Sequence, residues 1–119
     1  MRAAIAVGDW QLRALGGDTL PTLDRATQPT LRFLIGELGD KTLSGNAGCN
    51  RFTGRVVLRG LDLVGTPVAM TRRACVDSLA NAREARYAKA LSDGGWFRLD
   101  GTELVLSRGG EEQARFYRR

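Results

Sequence analysis

The chain has 119 residues, of which 43% are hydrophobic and 26% charged, and its 15 glycines exceed ordinary usage. This composition is typical of one globular domain with short elements and many turns, and it excludes a wholly disordered chain. Eighteen basic against thirteen acidic side chains leave a net charge of +5, so nucleic acid, anionic lipid and acidic proteins are all compatible partners.

The residue types narrow the chemistry further. The chain contains no histidine, which removes the usual general base of hydrolases and the commonest metal ligand. Its two cysteines are too few for a closed zinc site. We therefore expect no enzyme activity, no cofactor and no bound metal.

The sequence leaves the cellular compartment open. No apolar run is long enough to form a transmembrane segment, and residues 1–7 are too short for a complete secretory signal. We therefore expect either a cytosolic chain or the mature part of an exported protein.

Alternating apolar and polar residues predict β-strands along most of the chain, because a half-buried strand has a side-chain period of two. The predicted strands cover residues 9–15, 30–35, 42–44, 52–58, 61–64, 96–99, 103–107 and 113–117. Residues 18–29 contain two prolines and are expected to form a loop or an edge segment. Turns are predicted at residues 36–41, 59–60, 100–101 and 109–110.

One helix is predicted near residues 78–92, because residues 79–91 lack glycine and proline and follow the candidate N-caps Asp77 and Ser78. The Gly94-Gly95 pair is expected to end it with a left-handed cap. The predicted buried face consists of Leu79, Ala82, Tyr87, Ala90 and Leu91, with Arg83, Glu84, Arg86 and Lys89 on the remainder. The fold class is mainly β with one helix (α+β), as a small antiparallel meander or partly open barrel of seven to eight strands.

Two segments are locally unusual. Residues 43–54 contain three glycines, two asparagines and Cys49, and residues 69–75 contain Cys75. Glycines in such a loop are expected where the backbone takes a positive φ or where a neighbour approaches closely. The asparagine side chains are expected to cap its turns.

These two segments resemble the META domain (HslJ-like) family, together with Trp10-Gln11-Leu12, Glu84 in the helix and Leu104-Val105-Leu106. The resemblance extends over nearly the whole chain and implies a single domain at 1–119, with a mostly antiparallel sheet and a helix against it. It implies a periplasmic or other envelope location, often as a lipoprotein, and no established catalytic activity. A cytoplasmic location stays open. Arg73 departs from the family pattern, in which an apolar residue is usual.

The function expected from this resemblance is a non-enzymatic bacterial envelope domain. It would bind a protein, peptide or lipid through a groove or sheet edge, or support stress tolerance. One alternative is a basic β-barrel that binds nucleic acid, a less expected partner. Another is an enzyme with Cys49 as nucleophile, which lacks a histidine base. Six aromatic residues are expected in the core or at strand edges, or lining an apolar groove: Trp10, Phe33, Phe52, Trp96, Phe97 and Phe116.

The candidate polar binding residues are Asn50, Arg51, Thr71 and Arg72. A guanidinium beside exposed backbone amides can bind a carboxylate or phosphate. The alternative is that Arg51 and Arg72 hold loop carbonyls in place. The sequence does not choose between these two roles.

The cysteines are the last candidate site. Our hypothesis is that Cys49 and Cys75 form a disulfide in an oxidising compartment, against the alternatives of two buried thiols or one reactive cysteine. The bond would close a loop of about 25 residues and stabilise the fold by roughly 3.5 kcal/mol in the chain-entropy model. We expect no thiol to be alkylated in unfolded, unreduced protein, as measured by mass spectrometry. Two labelled thiols would contradict the pairing.

Overall fold

Ten strands and one helix are present in the part of the chain that the computed structural model describes, namely residues 8–21, 23, 27–35, 41–59, 62–65, 68–73 and 77–119. The elements are β1 (Gly8–Leu15), β2 (Asp18–Thr19), β3 (Thr30–Ile35), β4 (Lys41–Asn46), β5 (Arg51–Arg59), β6 (Asp62–Gly65), β7 (Ala69–Met70), α1 (Ser78–Asp93), β8 (Gly95–Asp100), β9 (Glu103–Arg108) and β10 (Glu111–Arg118).

The predicted fold class is confirmed, since the chain is mainly β with one helix. All eight predicted strands are present, and their ends lie within two residues of the predicted ones. The additional strands β2 and β7 have two residues each, too short to produce an alternating pattern. The predicted turns at residues 36–40 and at Gly60 lie outside the described residues.

The sheet is antiparallel throughout and curls until its first and last strands meet. The longer strands follow the order β10-β9-β8-β6-β5-β4-β3-β1, and β1 also pairs with β10. Each of these eight strands is therefore paired on both sides. Register shifts between Leu12 and Ala14 and between Glu112 and Ala114 mark bulges, which bend strands and help a sheet to curl.

The inward-facing side chains fill the interior of the curled sheet with an aromatic core. Phe33 and Phe97 meet edge to face at 5.1 Å, and Tyr87 from α1 packs against Phe52 at 5.5 Å and Phe116 at 6.0 Å between ring centroids. The Tyr87 hydroxyl donates a 2.8 Å hydrogen bond to the carbonyl oxygen of Thr30, and burial raises the pKa of Tyr87 well above its usual value. Tyr87 thus fixes the helix to the core.

Five of the six aromatics considered for a ligand groove are core residues. Trp10, Phe33, Phe52, Phe97 and Phe116 are each at most 5% exposed. The sixth, Trp96 on the outer face of β8, is 40% exposed. The five buried aromatics therefore belong to the core and do not line an open groove.

The buried face of α1 differs from the predicted one. Ala80, Glu84, Tyr87 and Leu91 are buried at helical spacing, together with Ala90. Leu79 is 70% exposed and Ala82 is exposed, so placing these two residues inward and Glu84 outward was wrong. The reason is that the first turns of α1 contact a polar loop and not an apolar surface.

The ends of α1 follow the predicted pattern. Asp77 is the N-cap, and its side chain accepts a 2.9 Å hydrogen bond from the backbone N–H of Leu79. At the other end, the N–H of Gly94 donates to the carbonyl of Leu91 at 3.1 Å. Gly94 has φ 76° but ψ −165°, so the positive φ was correctly expected while the left-handed helical ψ was not.

A cluster of ion pairs on the outer face joins β8, β9 and β10. The Arg115 guanidinium lies 2.9 Å from Glu103, 2.8 Å from Glu112 and 3.0 Å from Asp100, and Arg13 also binds Glu103. The hydrogen bond from Arg115 lowers the pKa of Glu103; burial opposes this effect, and Arg13 adds to it.

This cluster should make stability depend on pH. Because the folded pKa of Glu103 is below the unfolded value, its contribution is complete above the unfolded value and is lost as the pH falls through the folded one. We expect Glu103→Gln to lower the free energy of unfolding by about 1 kcal/mol at neutral pH. The gap to wild type should shrink in acid, as measured by urea denaturation.

The matched control is Glu111→Gln, at an exposed position in β10 that forms no ion pair with another described residue. Its stability should follow that of wild type at every pH. A gap for Glu103→Gln that persists unchanged in acid would show that the carboxylate charge is not its source.

Candidate functional site

A buried carboxylate holds the loop between β4 and β5. The Oε2 atom of Glu84 accepts hydrogen bonds from the backbone N–H groups of Cys49 and Asn50, both at 2.7 Å. Its Oε1 atom accepts from Asn50 Nδ2 at 2.6 Å. Glu84 is only 8% exposed, and hydrogen bonds to a charged acceptor are stronger than neutral ones. Glu84 therefore ties the glycine-rich loop to α1.

Asn50 extends this connection to the segment after β7. Its Oδ1 atom accepts from the backbone N–H of Arg73 at 2.6 Å and from the Thr71 hydroxyl at 3.0 Å. Its Nδ2 group donates to the carbonyl of Arg73 at 2.7 Å as well as to Glu84. The amide therefore uses both donors and two acceptor positions inside the protein, which leaves no donor for a ligand.

The backbone continues this pairing at the start of β5. The N–H of Arg51 donates to the Thr71 hydroxyl, and the N–H of Thr71 donates to the carbonyl of Arg51, both at 3.0 Å. We call Glu84, Asn50, Thr71 and the Arg73 backbone the Glu84 network. It joins the two segments that stood out in the sequence.

The network also explains why position 73 accepts an arginine where an apolar residue is usual in the family. Only the backbone of Arg73 takes part, and its side chain is exposed. Cys75 lies outside the described residues. Asn50 follows Cys49 directly, and Arg73 lies two positions before Cys75, so the network brings the flanking segments of both cysteines together. The disulfide stays a prediction.

Two loop glycines have the roles expected from the sequence. Gly48 has φ +135°, and its N–H donates to Asn46 Oδ1 at 3.1 Å, so the asparagine caps the turn. A Cβ on Gly45 would lie 2.4 Å from the Thr30 carbonyl oxygen and 2.8 Å from Phe52 Cζ. Only glycine therefore lets β4 approach β3 so closely at this point.

An open cavity of about 300 Å³ lies on the outer face beside this loop. We call it the basic cleft. Its lining residues are Asp9, Thr30, Leu31, Arg32, Ser44, Gly45, Asn46, Arg51 and Arg119. Cross-strand pairing places Asp9 beside Arg32, Arg32 beside Ser44, and Asn46 beside Arg51. The short side chain of Ser44 thus lies beside the longer Arg32.

The electrostatics of the basic cleft favour an anion. Arg32 forms a two-point ion pair with Asp9, in which Nη2 lies 3.0 Å from Oδ2 and Nε contacts Oδ1. The hydrogen bond from Arg32 lowers the pKa of Asp9; burial opposes this, and the charges of Arg32 and Arg119 add to it. No hydrogen bond or ion pair joins the Arg51 guanidinium to another described residue. Three arginines and one acidic side chain therefore line the cleft.

The four candidate polar residues do not meet at one cavity. Asn50 and Thr71 belong to the Glu84 network, and Arg51 reaches the basic cleft. Arg72 is exposed and forms no ion pair with another described residue. Sequence reasoning missed Arg32 and Arg119, because no local pattern shows which outward residues of distant strands become neighbours.

Two further observations bear on the chemistry. Within the described ranges, no group of three or more histidine, cysteine, aspartate or glutamate side chains is placed to hold a metal ion. No helix of that part of the chain combines the length and the apolar character needed to cross a bilayer.

The Glu84 network generates a stability prediction. In Glu84→Gln, an N–H₂ group replaces one of the two carboxylate oxygens. This group either leaves the loop N–H groups without an acceptor or faces the N–H₂ group of Asn50. We expect a loss of about 2–3 kcal/mol in the free energy of unfolding, because buried donors left unpaired cost this much. Urea denaturation followed by circular dichroism measures it.

A second substitution tests the pairing itself. In Glu84→Gln/Asn50→Asp, the glutamine can donate to the aspartate, so the double variant should lose less stability than the two single losses combined. Strictly additive losses would contradict a direct contact. Arg83→Gln, at the neighbouring helix position, serves as the control and should remain within about 0.5 kcal/mol of wild type.

Comparison with known proteins agrees with this architecture. The chain matches no curated protein. It is similar to the NMR structure of one protein with a TM-score of 0.66 and 25% identity, covering 94% of this chain and 89% of that chain. It is similar to the NMR structure of a protein from Burkholderia xenovorans with a TM-score of 0.71 and 25% identity, covering 98% and 84%. A family model for the META domain matches residues 3–119, and the chain therefore belongs to the META domain family.

Proposed function

We propose that this chain is a non-enzymatic domain of the bacterial cell envelope that binds an anionic partner through one face of its curled sheet. The partner is a protein, peptide or lipid, and the domain acts in the periplasm or at a membrane surface. Membership of the META domain family supports the envelope location. The distribution of charge supports the binding role.

The proposal rests on an uneven distribution of charge over the sheet. On one face arginine is balanced by carboxylates, whereas on another arginines are in excess. The outer side of β3, β4 and β5, which we call the basic face, presents Arg32 and Arg51, and Arg119 lies beside them in the cleft. Among the described residues that line this cleft, Asp9 has the only acidic side chain. On the outer side of β8, β9 and β10, by contrast, Arg115 is surrounded by three carboxylates. The basic face therefore retains positive charge for a partner.

Other ways of binding have less support. Each longer strand is paired on both sides, so in the described sheet only the two-residue strands β2 and β7 leave an open edge for a peptide. The aromatic side chains expected in an apolar groove fill the core. These observations favour the outer surface over a sheet edge or an internal groove.

The absence of enzymatic activity is part of the proposal. Glu84 and Asn50 could have served as catalytic groups, but both are engaged with the protein. Cys49 lies beside the Glu84 carboxylate through its backbone N–H, and such a contact orients the loop without activating a nucleophile.

Nucleic acid is the weaker alternative for an anionic partner. Proteins that bind single strands stack bases on exposed aromatic rings. No aromatic side chain is exposed on the described part of the basic face, and the exposed Trp96 and Tyr117 lie outside it, on β8 and β10. Oligonucleotide titration at two salt concentrations would reveal the steep salt dependence of phosphate-backbone binding if nucleic acid were the partner.

The test uses the gene with its natural upstream sequence, expressed in its own host with a C-terminal tag. We expect the protein in the periplasmic or membrane fraction. In intact cells, crosslinking or co-purification should yield a defined species that is lost in Arg51→Glu, because charge reversal repels an anionic partner.

The matched control is Arg98→Glu, which makes the same kind of change at an exposed position on β8. It should retain the partner. Recovery of the protein in the cytosol would contradict the envelope location. A partner retained equally by the charge-reversed variant would contradict binding through the basic face.

A further inference from the structure

We propose that the basic cleft is a binding site for a phosphate group, carried either by a lipid headgroup or by a small soluble phosphate ester. This inference rests on the proposed binding function and specifies its chemistry. It assigns the contact to Arg51 and Arg119, with Thr30 and Ser44 between them.

The strand arrangement builds a depression with positive walls. Ser44 pairs with Arg32 on one side and with Thr53 on the other, so two short side chains lie next to a long basic one. The backbone N–H of Asn46 donates to the Thr30 hydroxyl at 3.0 Å, which holds β4 against the start of β3. The floor is therefore made of hydroxyl-bearing side chains on paired strands.

Gly45 gives the floor its shape. Because a Cβ at this position would lie 2.4 Å from the Thr30 carbonyl oxygen, any other residue would push β4 away from β3. The close approach holds together the two strands whose Thr30 and Ser44 side chains line the cleft. The cavity of about 300 Å³ has room for a phosphate and part of its ester group.

The donor set fits a phosphate better than a carboxylate. Arg51 and Arg119 each present several N–H donors, and each hydroxyl can donate one more hydrogen bond. These donors come from the walls and the floor, so they approach an anion from several directions. A tetrahedral phosphate offers oxygens in all of these directions, whereas a carboxylate offers two oxygens in one plane.

Asp9 sets the strength of the site. It occupies two nitrogens of Arg32 and is the one acidic side chain among the described residues that line the cleft. Arg32 is thereby held in the wall while its charge is largely balanced. The phosphate is bound mainly by Arg51 and Arg119, and the removal of the Asp9 charge should strengthen binding.

The experiment is a titration of ¹⁵N-labelled protein with inorganic phosphate, followed by NMR, against sodium chloride at equal ionic strength and against acetate. We expect saturable shifts at the amides of Ser44, Asn46 and Arg51 with phosphate and weaker ones with acetate. Arg51→Gln and Arg119→Gln should each weaken the affinity about tenfold, since a charged hydrogen bond is lost.

Two further variants control for net charge. Arg98→Gln removes the same charge from β8 and should leave the affinity within about twofold of wild type. β8 does not pair with β3, β4 or β5, and salt screens the interaction between separated exposed charges. Asp9→Asn should tighten phosphate binding. Equal shifts with chloride and phosphate, or equal losses in Arg51→Gln and Arg98→Gln, would overturn the proposal.

The source of the phosphate is decided by two more probes. Glycerol 3-phosphate represents a soluble ester, and phosphatidylcholine vesicles with and without phosphatidic acid represent a membrane. Flotation that requires both phosphatidic acid and Arg51 identifies a lipid headgroup, whereas tight binding of glycerol 3-phosphate without flotation identifies a soluble ligand. The experiment on the envelope partner measures the cell fraction of the protein and the loss of the partner on charge reversal. Its result therefore stands even if phosphate fails to bind.

Discussion

The site depends on the contact between the Glu84 carboxylate and the loop between β4 and β5. Removing a charged group from water is costly unless hydrogen bonds replace the solvent. Three donors do so here, two from successive backbone N–H groups and one from Asn50. Because Asn50 also binds the Arg73 backbone, one carboxylate joins α1, the loop and the segment after β7. Arg51 follows Asn50 directly, so its position at the rim of the basic cleft depends on this anchor.

The site and the core are built on opposite faces of the same strands. The inward residues of β3 and β5 form part of the aromatic core, whereas the outward residues form the basic face. Alternation therefore allows the stability of the fold to be separated from the chemistry of its surface. The polar residues that the loop concentrates in the sequence act within the protein, and the surface chemistry comes from arginines distributed over separate strands.

The sequence predicted the elements better than their contacts. The period of two is a local property, so each of the eight longer strands could be located from its own residues. The face of α1 could not be obtained in this way, because apolarity placed Leu79 inward while backbone donors of a distant loop bind Glu84. The basic cleft could not be predicted either, since its arginines come from three distant segments and only the strand register brings them together. Gly45 and Gly48 were better predicted, because turn geometry and close approach favour glycine locally.

The pairing of β1 with β10 has a consequence for how the molecule folds. Trp10 pairs with Arg118, and the guanidinium lies 4.3 Å from the centre of the indole ring. The two strands that complete the curl are thus the first and last of the described chain. Contacts between such distant residues form slowly, because a long loop must be ordered first. β1 keeps one side unpaired until β10 is in place, so the curled sheet closes only when the last described strand has docked.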